Sequence, residues 1–214
     1  MNKQAMKSMP PRLAALRGWV LATVATASLL AGCAPLILGG AVLGTGLIVT
    51  DRRTTGMQLE DRAIETKGEA RAKELATLGR INVTSYNRTV LITGEVPGES
   101  ERTAVEKAVS GVENVRAVVN ELVVAPNLSD SQRSGDSLLG ARVKASLVDA
   151  KDVAANAFRV IAERGVVYLM GRVTEREAGR AVELARGVSG VVKVVRVLDI
   201  ITEEELAAMS GGKK

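Results

Sequence analysis

Leu30-Ala31-Gly32-Cys33 is a short run whose order supports one specific covalent chemistry. An aliphatic residue and two small ones fit a peptidase cleft, and the cysteine after them offers a thiol that accepts a diacylglyceryl group. The residues ahead of it agree. Lys3, Lys7, Arg12 and Arg17 form a positive region free of Asp and Glu, and an apolar stretch follows over 19–30. That stretch has the length of a signal-peptide core and falls short of the roughly 20 residues of a membrane span. A signal peptide over 1–32, cleavage before Cys33 and lipidation of Cys33 are expected. An ordinary signal peptide beside a chance cysteine would not explain why the only cysteine of the chain stands at the cleavage point.

Other covalent chemistry is poorly supplied. Acylation consumes the single thiol, so no disulfide can form within the chain, although export would permit one. Histidine is absent, which removes the commonest general base and the commonest zinc ligand. A hydrolase needs a nucleophile, a base and an orienting partner, and no such group of three is found. The protein is expected not to be an enzyme and to need no cofactor or metal. Glu175 and Glu177 read as acidic residues in the first turn of a helix.

The net charge of +5 suggests nucleic acid, but removal of the signal peptide takes four of the 29 basic residues and leaves 25 against 24 acidic ones. A near-neutral chain with one Phe and two Tyr beyond the signal has neither the charge nor the stacking surface for nucleic acid. The Gly- and Ala-rich segment 34–56 reads as a tether within residues 33–57. A phosphate-cradling loop would instead follow a buried strand and open a helix.

The elements that follow are organised by an internal repeat. Residues 81–94 lie over 158–171 at constant offset, matching Val83 with Val160, Val90 with Val167, Ile92 with Leu169 and Gly94 with Gly171. After a one-residue slip the match continues, pairing Val105 with Ala181, Val112 with Val188, Val118 with Val194 and Leu122 with Leu198. Two copies of one small domain are expected, over 58–125 and 134–201, with a linker at 126–133 and a tail at 202–214.

In the second copy Leu139, Val143 and Leu147 recur at helical spacing. Two short β-rich runs, 158–162 and 166–170, flank Glu163-Arg164-Gly165, a turn with glycine where a positive φ is expected. Ala178, Ala181, Val182 and Ala185 return to helical spacing, and 191–201 reads as a third strand. The first copy repeats the order with Ile64 and Leu75 in its opening helix. Each copy is therefore αββαβ, an α+β unit with a three-stranded sheet covered on one face by two helices.

These residues resemble the BON domain. The cues are Leu91-Ile92-Thr93-Gly94-Glu95-Val96 and Tyr168-Leu169-Met170-Gly171-Arg172-Val173, then Val188-Ser189-Gly190-Val191 closing the second helix. In the first copy Asn114 stands where the family usually has glycine, and Gly68 interrupts the opening helix. Two such domains behind a lipobox, with Thr50-Asp51-Arg52-Arg53-Thr54-Thr55-Gly56 ahead of them, resemble the dual-BON outer-membrane lipoproteins.

That resemblance implies a periplasm-facing, lipid-anchored outer-membrane protein that supports envelope integrity and is enriched at division sites. It implies a second domain that binds anionic phospholipid, phosphatidylglycerol above all, and contact with the machinery that assembles outer-membrane barrels. Ala34 after the cysteine is compatible with release to the outer membrane.

Charge supports the same placement independently. Residues 58–125 hold 9 basic and 11 acidic groups, whereas 134–201 hold 11 basic and 8 acidic, so anionic headgroups should prefer the second copy. A helix that buries Leu139, Val143 and Leu147 leaves Leu138 on an adjoining face with Ala141, Arg142 and Ala145. These four are the candidate phospholipid-binding residues, with Leu138 inserting and Arg142 pairing with phosphate. Leu138 packing against the first domain is the alternative, and Arg142 and Lys144 also fit a solvated face. Leu138 stands where the resembled pattern has an aromatic.

Overall fold

A computed structural model of the chain describes residues 51–211. The expected signal peptide, Cys33 and most of the tether lie outside the described residues. The first domain comprises α1 (Thr55–Leu75), β1 (Arg80–Tyr86), β2 (Thr89–Val96), α2 (Glu99–Ser110) and β3 (Ala117–Val124). The second comprises α3 (Asp130–Asp149), β4 (Phe158–Glu163), β5 (Val166–Thr174), α4 (Glu175–Arg186) and β6 (Lys193–Ile201). A short helix, α5 (Glu203–Gly211), lies within the tail. The αββαβ order thus occurs twice. Helix α1 opens three residues before 58, and α3 opens inside the stretch read as the linker.

Each domain forms its own sheet, β1-β2-β3 and β4-β5-β6. A hairpin pairs the first two strands antiparallel, and the third strand returns parallel to the middle one, with Val90 beside Val118 and Val167 beside Val194. A parallel neighbour needs a crossover connection, which α2 and α4 supply. The hairpins close through two-residue turns whose central residues all have positive φ, Asn87 and Arg88 in one and Arg164 and Gly165 in the other. Such turns match the twist of the flanking strands. Gly190 and Asn114 both adopt positive φ as well, at +97° and +68°, and asparagine is one of the few non-glycine residues that tolerates this conformation.

Helices cover one face of each sheet. Leu139, Val143, Leu147, Val167, Leu169, Ala181 and Ala185 share one core, and Ile64, Ala72, Val90, Ile92, Val105 and Val109 share the other. The opening helix of the first domain contains both Ile64 and Leu75, as expected, and Leu75 is its last residue. Leu75 is 43% exposed, and the buried face of α1 runs through Asp61, Ile64, Gly68 and Ala72. A Cβ on Gly68 would lie 2.9 Å from Val83 Cγ1. Glycine at that place lets α1 settle closer to its sheet than a larger residue would.

The remaining faces of the two sheets pack on each other. Tyr86 and Leu91 of the first meet Tyr168, Met170 and Val197 of the second in a buried cluster. Ion pairs surround it, linking Arg80 to Glu163, Arg159 to Glu65 and Arg164 to Glu95. Burial raises the carboxyl of Glu163 above its usual range, against the pull of Arg80. Burial also raises the Tyr168 hydroxyl, with Glu121 adding to the effect.

Candidate lipid-contact site

Helix α3 carries the candidate residues, and its start is well defined. Ser129 and Gln132 form a reciprocal capping box there, which satisfies two otherwise unpaired donors of the first turn. The face of Leu139, Val143 and Leu147 is buried. On the adjoining face Leu138, Ala141, Arg142 and Ala145 are all exposed. Leu138 is 65% exposed and Val148, about three turns further on, 61%. Leu138 is not part of the buried cluster that joins the two sheets.

The cations of this region divide into two kinds. Lys144 is engaged: its Nζ donates to Ala155 O at 2.6 Å and Phe158 O at 2.9 Å, tying α3 to the chain entering β4. Burial lowers its pKa from the ordinary lysine value. Arg142 has neither a hydrogen bond nor an ion pair among the described residues. The same holds in the second domain for Lys151, Arg186 and Lys193. Arg176 and Arg180 on α4 are held by Glu203, Asp152 and Glu183. Arg142 is thus a cation on an apolar helix face with its guanidinium unspent.

Arg52 and Arg53 form a second arrangement, just ahead of α1. Arg52 donates through both terminal nitrogens to Glu177 at 2.7 and 2.8 Å, and to the carbonyl of Arg172. Arg53 pairs instead with Asp51 and with the buried Asp61, and its guanidinium lies 4.1 Å from the ring centroid of Tyr86. Consecutive arginines thereby reach carboxylates of different domains. Burial, with Asp51 nearby, pushes the Tyr86 hydroxyl up to about 12. Only knowledge of where Asp61 and Glu177 end up in space reveals this arrangement.

Asp61 and Asp136 occupy equivalent places in the two copies. Asp61 accepts from the N–H groups of Asn87 and Arg88, and Asp136 accepts from those of Arg164 and Gly165. Each carboxylate holds the turn of its own hairpin. Glu175 and Glu177 occupy the first turn of α4, and Glu177 forms a capping box with Thr174. Among the described residues no cluster of His, Cys, Asp or Glu is arranged to hold a metal ion, and no helix is long and apolar enough to cross a membrane.

Comparison with known proteins agrees with this architecture. The BON domain family model matches residues 61–126 and 135–202. The chain is 39% identical over 171 residues to the outer membrane lipoprotein DolP of Haemophilus influenzae, covering 78% of this chain and 88% of that one. It is 33% identical over 157 residues to a 21 kDa hemolysin of Actinobacillus pleuropneumoniae, covering 71% and 79%. A structural protein of the type III secretion system of Chlamydia trachomatis, CdsD, aligns over 73% of this chain and 99% of its own with a TM-score of 0.29 and 12% identity. Two family matches over two αββαβ units that share a sheet-to-sheet interface place the chain in the BON-domain family, as a tandem member with two such domains.

Proposed function

We propose that this protein is an outer-membrane lipoprotein, anchored on the periplasmic face through Cys33, whose second BON domain binds anionic phospholipid and thereby supports envelope integrity. The observation that carries the lipid contact is the exposed face of α3. Leu138, Ala141, Ala145 and Val148 present an apolar stripe, and Arg142, without a partner among the described residues, stands one turn from Leu138. Exposed apolar surface next to a free cation suits an interface of acyl chains below and phosphates above. The similarity to DolP supports the outer-membrane setting, and the lipobox supports the anchor.

The reading is tested by co-sedimentation of residues 51–214, which lack the anchor, with vesicles of phosphatidylethanolamine alone or mixed with phosphatidylglycerol. Binding confined to the anionic vesicles is expected. No binding to either would overturn the lipid reading and favour a protein-interaction adaptor whose membrane affinity comes from the anchor alone.

A further inference from the structure

A stretch of the second domain outside α3 remains unexplained by packing. Residues 187–192 join α4 to β6, and Val192 within them is 81% exposed, more than any other large hydrophobic side chain among the described residues. Its position is nonetheless fixed. The Val192 N–H donates to Gly165 O at 2.9 Å, and the Val191 N–H to Val188 O at 3.2 Å.

The first copy carries a different residue at this place. Arg116 is the equivalent of Val192, and its N–H makes the same bond, to Arg88 O at 2.9 Å. The Arg116 side chain then pairs with Asp199. The second copy keeps the backbone and replaces that charge with a valine held out in water. An isolated apolar side chain on a surface is ordinary, but the turn that carries this one touches α3 two residues earlier, at Gly190. A Cβ on Gly190 would stand 3.6 Å from Arg142 Nη2 and 3.5 Å from Leu139 Cδ1, so the turn abuts α3 at Arg142. Lys193, adjacent to Val192, and Arg186, at the end of α4, are exposed cations without a partner among the described residues. The nearby carboxylates are occupied: Asp136 holds the hairpin turn, and Glu163 takes Arg80 and Asn82.

We infer that the α4–β6 turn is a second membrane-inserting element of this domain, in which Val192 enters the bilayer interface and Lys193, with Arg142, meets anionic phospholipid headgroups. This rests on the α3 reading and extends it from one helix to a two-pronged surface. Two apolar anchors flanking a shared cation also fix the domain's orientation on the bilayer, which one helix stripe alone does not.

Tryptophan offers a direct reporter, since the only one in the chain is Trp19, inside the segment expected to be removed. The mature acylated protein carrying V192W, L138W or, on exposed α2, T103W is reconstituted into phosphatidylethanolamine vesicles containing brominated acyl chains, with and without phosphatidylglycerol. V192W and L138W should shift to the blue and be quenched when phosphatidylglycerol is present, well beyond T103W, and K193E should reduce the quenching of V192W. Quenching of L138W with V192W no more affected than T103W would overturn the turn's role and leave α3 standing. Absence of quenching at both would remove the α3 reading as well. Equal quenching of V192W with and without phosphatidylglycerol would overturn the proposed recognition of anionic lipid.

Discussion

Arg52 and Glu177, 125 residues apart, form a two-pronged ion pair with N···O distances of 2.7 and 2.8 Å. Their side chains retain only 10% and 4% exposure. A fork-to-fork pair adds geometric specificity to charge attraction, and Arg53 makes its own pair with Asp61. The segment that leads toward Cys33 is thereby clasped to the second domain by one arginine and to the first by the next.

Removing Arg52 leaves Glu177 nearly buried and without its counter-charge. Arg52→Ala is expected to destabilise the protein by about 3 kcal/mol. Burial alone would raise the Glu177 carboxyl, but the hydrogen bonds from Arg52 and the Thr174 amide outweigh it and hold the group below its ordinary value. A depressed folded-state pKa contributes stability that is present above the unfolded value and lost as pH falls through the folded one. Denaturation midpoints measured across the acid range should show a shallower acid loss in Arg52→Ala than in wild type. An unchanged acid limb would contradict the clasp.

Asp136 holds two turn amides with one carboxylate. Asp136→Ala should cost about 2–3 kcal/mol, because charge-assisted bonds are lost and the amides lose their acceptor. Asp136→Asn keeps one acceptor oxygen and should fall between. Urea denaturation gives the order directly, and equal stability of all three would refute the role.

The shared apolar face makes the two domains one cooperative unit. Met170 is fully buried in the inter-sheet cluster, and Met170→Ala should cost about 2–5 kcal/mol. Calorimetry on the wild type should show one transition, with the calorimetric and van't Hoff enthalpies equal. Two resolved transitions in wild type would mean that the interface contributes little.

Much of the fold was legible because periodicity and repetition carry it. The every-fourth-residue run of Leu139, Val143 and Leu147 fixed the inward face of α3, and with it the exposure of Leu138 and Arg142. Gly165 marked a hairpin turn before its φ was known. The inter-sheet face also left a trace, since Val90-Leu91-Ile92 and Val166-Val167-Tyr168-Leu169-Met170 are unbroken apolar runs, the signature of strands buried on both faces. What could not be read were long-range pairings. Nothing in spacing tells Arg52 to choose Glu177, or Lys144 to bind the carbonyls of Ala155 and Phe158. The buried face of α1 was harder to read than that of α3, because Gly68 and Ala72 do there the packing that larger residues do in α3.

The most direct test of the central claim compares Arg142 with Lys144, two cations on one helix with different employment. In vesicle co-sedimentation of residues 51–214, Leu138→Glu and Arg142→Glu should abolish binding to phosphatidylglycerol-containing vesicles and leave the thermal midpoint unchanged. Lys144→Ala should lower the midpoint, since two carbonyls lose a charged donor, and leave binding intact below that temperature. Retained binding in Leu138→Glu and Arg142→Glu, with both folded as wild type, would contradict the assignment of lipid contact to α3.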